Sequence, residues 1–289
     1  MDAPQQKKDF AWQPMTPRGI SKFSRAPLGR LWLVQFVFAL AFGGVVIWFL
    51  HADWFPIISR AIKAFPRQAE IRSGKLDWTA DPAIVLAENR FLAVSVDLKH
   101  AGAARSPAHV GIELGSLDCK VFSLLGYLQW RYPRDWIISL GRDEAVSWWG
   151  AWSPAILALV AGGVAGIMMV FWTLLATLYF APIWLLAFFA NRELTLGGSW
   201  RLSGAALMPS TIFLSAATFG YGLGWFGLVG LALAAVAHLV VGWIYLGAGV
   251  FSLRPISEAA GTVRNPFAAP PPPPAPPSAS ADQPPPAAG

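Results

Sequence analysis

The residues able to do acid–base, nucleophilic or metal chemistry are few and far apart: four histidines (His51, His100, His109, His238) and a single cysteine, Cys119, in 289 residues. No two histidines have the H-x-x-x-H or H-E-x-x-H spacing that sets two ligands on one helix face, so no metal site is expected. Cys119 with His100 or His109 as its base would make a nucleophile. It falls, however, in an alternating run that reads as a strand, where a buried and inert thiol is the plainer reading. Asp97, Lys99 and His100 gather where a strand runs into a loop, and a catalytic group or a solvated strand end accounts for them equally. Arg142, Asp143 and Glu144 read as a surface turn. No catalytic residue, cofactor or metal is assigned on these patterns.

Four intramembrane residues stand as functional or packing candidates: His238, Pro209, Gly162 and Gly166. An ionisable group at membrane depth is a functional candidate by default, and His238 is the one example between Leu202 and Val250. It has no acidic partner at that depth, so a neutral ring hydrogen-bonded to a neighbouring helix is expected. Pro209 would kink its helix, with the hydroxyls of Ser210 and Thr211 satisfying freed carbonyls. Gly162 and Gly166 form a small-xxx-small face that would bring another helix close.

The elements that must carry these residues are set by charge-free tracts. Leu31 to Leu50 has no ionisable residue, and about 20 apolar residues cross a hydrocarbon core of roughly 30 Å. Ala155 to Ala190 is also free of charge and as a helix extends about 54 Å. That is too short for two spans with a polar turn, so one span with an interfacial continuation past Pro182 is expected. Leu202 to Val250 is long enough for two spans, with the break in the glycine-rich run Gly220 to Gly227. Lys7, Lys8, Arg18, Lys22, Arg25 and Arg30 precede the first span, Arg192 and Arg201 follow the second, and Arg254 and Arg264 follow the fourth. By the positive-inside rule both termini are cytoplasmic and the protein is multi-pass in an inner membrane. The first span reads as an uncleaved anchor, being longer than a signal h-region of about 7 to 15 residues.

Between the first and second spans the pattern changes to alternation. Phe55, Ile58, Ile62 and Phe65 form a short helical stripe ended by Pro66. Ala69 to Ile71 and Leu76 to Trp78 flank a Ser73-Gly74 turn as a hairpin. Leu92 to Leu98 and Val110 to Leu114 alternate as half-buried strands, and Val121 to Trp130 and Trp136 to Leu140 offer more.

The fold class expected is therefore membrane α-helical, with four transmembrane helices and an inserted small, mainly antiparallel β exoplasmic domain, and with disordered termini. The parts run as a basic leader (1–30), span one (31–50), the exoplasmic domain (51–153), span two with its interfacial extension (155–190), span three (202–223), span four (227–250) and a proline-rich tail (265–289). Leader and tail are too rich in proline and too poor in apolar periodicity to build a core. The charged share of 13% against 55% hydrophobic is the membrane fraction. The net charge of +6 is dispersed, which excludes a nucleic-acid partner.

The stretch Gly198-Ser199-Trp200-Arg201-Leu202-Ser203-Gly204-Ala205-Ala206-Leu207-Met208-Pro209-Ser210-Thr211 resembles the loop-and-helix start of bacterial Yip-like membrane proteins. Those typically show a Ser-aromatic-Arg sequence and a proline about two turns into the helix. The Phe65-Pro66 helix end followed by Glu70-Ile71-Arg72-Ser73-Gly74-Lys75-Leu76 is similar to the start of the exoplasmic domain in the related branch of unknown function. The long proline tail departs from that pattern. The resemblance implies a multi-spanning inner-membrane protein and supplies no catalytic residues.

Two functions are weighed on these grounds. The first is a non-catalytic binding or scaffold protein that meets a membrane or envelope partner through its exoplasmic β domain. The alternative is a transport component or permease accessory working through the helical bundle. A membrane enzyme requires Asp97, His100 and Cys119 to converge. The partners expected are the lipid bilayer and a membrane or envelope protein, and no oligomeric state is assigned.

Overall fold

A computed structural model describes residues 11–124 and 126–256; the proline-rich tail and the first ten residues of the leader lie outside them. Helices and strands follow in the order α1 (Pro17–Phe23), α2 (Leu28–Phe49), a π-helical turn (Leu50–Trp54) and α3 (Phe55–Lys63). Then come β1 (Ala69–Arg72), β2 (Lys75–Trp78), β3 (Ala83–Glu88), β4 (Leu92–Asp97), β5 (Val110–Leu114), β6 (Asp118–Ser123), β7 (Gly126–Arg131) and β8 (Ile138–Ser139). The chain closes with α4 (Arg142–Phe189), α5 (Leu196–Gly222) and α6 (Leu228–Phe251). Four helices are long and apolar enough to cross a membrane: α2 continued through α3, then α4, α5 and α6.

The leader corrects its expected disorder between residues 11 and 30. Thr16 caps α1 by accepting a hydrogen bond from the Gly19 amide (3.1 Å), and Pro17 sits at the first helical turn, where a missing N–H is harmless. Ile20 and Phe23 are fully buried in the core that the bundle forms with Leu202, Leu246 and Val250. Two apolar residues placed three apart on one short helix therefore suffice to dock it, although their number is too small to register as periodicity.

α4 also departs from expectation. It runs unbroken for 48 residues, about 72 Å, and so continues through Pro182 as one helix. It also starts earlier than the charge-free tract. Arg142, Asp143 and Glu144 are the first turn of α4 and not a surface turn, with both carboxylates where the helix dipole favours them. The residues up to Pro154 pair with α3, where Trp149 Nε1 donates to Ser59 Oγ (2.9 Å) and its ring packs on Phe55 (4.8 Å between centroids). The π-helical turn joins α2 to α3 just before Pro56, whose missing amide cannot serve the regular ladder.

The β domain holds a three-stranded sheet in the order β2-β1-β8 and a five-stranded sheet in the order β3-β4-β5-β6-β7. The β1–β2 hairpin turns through Ser73 (φ +51°) and Gly74 (φ +75°), the left-handed pair that a two-residue turn demands. All pairings are antiparallel except β4 with β5. Leu92, Val94 and Val96 turn one way from β4. Leu92 and Val94 pack with Ile57 and Ala61 of α3, while Val96 packs with Ile71, Leu76 and Trp78 of the smaller sheet. Both docking layers thus cover one face of the large sheet and leave the other to the site.

Candidate functional site

The second face of the large sheet presents Ala93, Ser95 and Asp97 from β4, Gly111 and Glu113 from β5, and Asp118, Lys120 and Phe122 from β6. Ser95 stands opposite Glu113, and Glu113 opposite Lys120. Parallel strands cannot be joined by a tight turn, and the link across residues 98–109 folds back over this face. Asp97 winds its first half. Only 2% exposed, its carboxylate accepts backbone N–H bonds from Lys99 (3.3 Å), Gly102 (2.7 Å) and Ala103 (3.1 Å). Burial alone would raise its pKa, but these amide bonds outweigh burial and hold it below the usual carboxylate range. Asp97 is therefore an internal loop anchor and not a solvated strand end.

That winding puts His100 in the left-handed region (φ +51°) and points its ring inward. Nδ1 meets Glu113 Oε1, Nε2 lies 2.5 Å from Asp118 Oδ1, and Gln129 of β7 donates to the other Asp118 oxygen. A Cβ at Gly115 would fall 2.2 Å from Nε2, so the ring fits only because that position is glycine. Both contacts are met when the ring carries two protons and donates to both carboxylates. Burial opposes the imidazolium, yet the bonds to Glu113 and Asp118 prevail and raise the His100 pKa. Burial would likewise raise Asp118, but Gln129 and His100 hold it low. A histidine held protonated between two carboxylates is a poor general base.

At the other end of the strands the sheet meets the α5–α6 turn. Arg90, between β3 and β4, donates to the Gly224 carbonyl (2.8 Å) and the Phe226 carbonyl (3.0 Å). His109 Nδ1 is hydrogen-bonded to the Tyr221 hydroxyl (2.7 Å), and the two rings stack beside Phe91. Burial, with Arg90 nearby, lowers the His109 pKa and keeps the ring neutral. The β domain is thereby fastened to the turn between two long helices.

A cavity of about 780 Å³ remains between the sheet face, the 98–109 link and that turn. His100, Arg105, Glu113 and Lys120 line it, as do Phe122, Leu124, Phe226, Leu228 and Val229. The charged residues lie toward the Asp97 end of the strands and the apolar ones toward the helix turn, because Lys120 pairs with Glu113 while Ser123, beside Leu124, pairs with Val110.

No family model, curated protein or solved structure matches the chain. The site has to be read from its own geometry.

Of the residues singled out by sequence, only His100 and His109 line the cavity. Cys119 alternates to the opposite face of β6, and burial together with Asp118 and Glu113 raises its thiol pKa. Asp97, His100 and Cys119 do not converge. His238 is buried, but its Nδ1 donates to the Ala235 carbonyl of its own helix, not to a neighbouring one. Pro209 is buried within an α5 that continues through it; the hydroxyls of Ser210 and Thr211 turn back to the Leu207 carbonyl (2.8 Å each), not to the Ala205 carbonyl that the proline leaves without its donor. Gly162 and Gly166 are exposed on α4, and a Cβ at either would meet nothing within 4 Å. The close helix approaches occur elsewhere, with Gly43 against Ala161 and Gly204 against Leu31 and Gln35.

Sequence reasoning missed Glu113, Asp118, Lys120 and Gln129 as a group, and Gln35. Gln35 is 1% exposed, its Nε2 donating to the Gly204 carbonyl (3.4 Å). A glutamine in the middle of an apolar run was the available signal for it. For the cavity the signal was Gly115 between Glu113 and Asp118, a glycine beside two strand carboxylates where close approach is a usual reason. Among the described residues no group of three or more His, Cys, Asp or Glu is placed to hold a metal ion.

Proposed function

We propose that the chain is a multi-pass inner-membrane protein with an exoplasmic β domain that binds a ligand in the cavity above the α5–α6 turn, without catalysing a reaction. One observation carries this: the cavity is walled jointly by the β domain and by the turn between two membrane-length helices, charged at one end and apolar at the other. Pockets of roughly 300 to 1,000 Å³ with a few placed polar groups are the usual form of small-molecule sites. His100 held as a cation and Cys119 facing away support a binding role over a catalytic one. Neither His238 nor Pro209 lines the cavity, so the transport alternative gains nothing from it.

The orientation proposed is supported by the basic residues that flank the spans. Arg25 pairs with Glu193 (2.8 Å), Arg201 Nε donates to the Ser24 carbonyl (3.2 Å) and Arg192 to the Leu253 carbonyl (2.8 Å). These contacts bring the basic segments beside the spans together at the end of the bundle away from the β domain, which by the positive-inside rule supports a cytoplasmic assignment for that end. Trp48, Trp54, Trp149 and Trp225 stand at the β-domain end, as indoles do at a membrane interface. The likeness to Yip-like proteins enters this proposal for architecture alone.

Native mass spectrometry of the full chain in mild detergent tests the reading. The wild type should carry a bound small molecule, and Ala108→Trp, which fills the cavity from the 98–109 link, should lose it without a change in thermal unfolding. A wild type that stays bare after incubation with total membrane extract overturns the proposal.

A further inference from the structure

We infer that the ligand of this cavity is an anionic lipid, its head held by Lys120 and Arg105 and a chain laid down the outer face of α6. The inference rests on the binding reading above and names the ligand class.

The charge argument begins with what is already matched. Glu113 is the one carboxylate among the ionisable wall residues, and it is paired to His100. Lys120 and Arg105 have no carboxylate within 4.0 Å among the described residues. Arg105 folds back over Gly102, its Nε 2.8 Å from where a Cβ would stand there, which keeps the guanidinium on the wall. The lower wall adds to this sign: residues Gly227 to Gly230 are the N-terminal turn of α6, which has no side-chain cap. A helix N-terminus carries partial positive charge and free amides. With Asp118 sharing His100, the three cations His100, Lys120 and Arg105 face two carboxylates, and this excess of positive charge together with a helix start around one space selects an anion.

The chain argument comes from the face of α6 below. Val229 lines the cavity and is exposed, and Leu233, Val236 and Val240 follow it on the same outer face, also exposed and spaced by four, three and four residues. This stripe continues the apolar end of the cavity, formed by Phe122, Leu124 and Phe226, without a polar break. A soluble anion would use the cations and ignore the stripe. A lipid with a neutral head would use the stripe and leave the cations idle. An anionic lipid uses both.

The test is titration of the full chain in detergent with dioleoyl phosphatidic acid, dioleoyl phosphatidylcholine and glycerol 3-phosphate, read by native mass spectrometry. Phosphatidic acid should bind at least about tenfold more tightly than phosphatidylcholine, charge-assisted hydrogen bonds being the difference. Lys120→Gln with Arg105→Gln should remove that preference and leave phosphatidylcholine binding unchanged. Val229→Ser with Leu233→Ser should weaken phosphatidic acid several-fold and leave the charge preference intact. Equal affinity for the two lipids, with both lost in Ala108→Trp, overturns the inference while the binding reading stands. Glycerol 3-phosphate competing as well as the lipid does the same, since the ligand is then a soluble anion. No binding of any probe, and no effect of Ala108→Trp, overturns both.

Discussion

α5 and β4 are the two most enclosed elements of their regions, and neither is the most apolar. Of the four long helices α5 is the least hydropathic, yet 61% of its most apolar 18-residue window is buried, against 11% for α6. Beside Leu202, Leu207 and Met208 its enclosed surface is rich in small and polar residues: Ser199, Ser203, Gly204, Ala205, Ala206, Ser210 and Thr211. Small residues let α2, α4 and α6 close around it, which is how helices pack when the surrounding medium is itself apolar. β4 is buried at every position although it alternates between large apolar and small or polar residues. There the polar half is enclosed because the chain folds its own amides and one histidine onto the carboxylates. In the bundle, polarity marks the inside through size. In the β domain it marks the inside through hydrogen bonding.

The largest effects separate the two faces of β4. Leu92, fully buried against α3, should cost about 3 kcal/mol as Leu92→Ala, the usual range for an enclosed leucine. Asp97→Ala should cost about as much, roughly 3 kcal/mol, because it strands the backbone amides that the carboxylate receives. Thermal or denaturant unfolding of the full chain in detergent measures both. If Asp97→Ala falls within about 0.5 kcal/mol of wild type, as an ordinary surface change does, the polar face is not an interior. The sign with pH is set by the lowered Asp97 pKa. Its contribution is present above the unfolded value of about 3.9 and is lost as pH falls through the lower folded pKa. Asp97→Asn should therefore narrow the gap to wild type only in that acid range.

A smaller effect, about 1 to 2 kcal/mol, is expected for Gly115→Ala, whose methyl displaces the His100 ring and crowds the Asp118 carbonyl. Its pH dependence runs the other way. The folded His100 pKa is raised, so its contribution is complete below about pH 6.5 and is lost as pH rises through the folded value. Wild type should lose stability over that alkaline range, and Gly115→Ala should show a flatter curve. NMR titration of the imidazole checks this directly: a His100 that titrates in the wild type at or below its ordinary value removes the paired-cation arrangement.

These faces differ in how far the chain discloses them. The four long helices were legible because a water-soluble fold seldom leaves so long a tract without charge, and the β1–β2 hairpin because Ser73-Gly74 supplies its turn. Alternation in β4 and β5 disclosed strands but not which face meets solvent, since that depends on residues 98–109 folding back, a non-local event. His100 was noticed for the wrong neighbours. Its partners Glu113 and Asp118 are 13 and 18 residues away, and the β5–β6 register that unites them is invisible to spacing. α1 was lost because a helix of seven residues docks through two side chains alone.

The smallest effect tests the outer surface of the bundle. Gly162 and Gly166 have the spacing of a packing motif, yet the chain seats no helix on them, while Ala39 and Gly43 share that spacing and are buried, and Gly204 makes its close approach without it. If α4 faces lipid there, Gly162→Leu should change stability by less than about 0.5 kcal/mol, because a larger apolar side chain enters an apolar medium and displaces nothing. Unfolding of the full chain in nanodiscs holding one copy, and in detergent at rising protein concentration, should give the same midpoint for variant and wild type. A variant that is unaltered in single-copy discs but destabilised where copies meet would show that the glycines seat a second chain. The comparison would then sharpen: small residues mark the inside of α5 within one molecule and the inside of α4 only within an assembly.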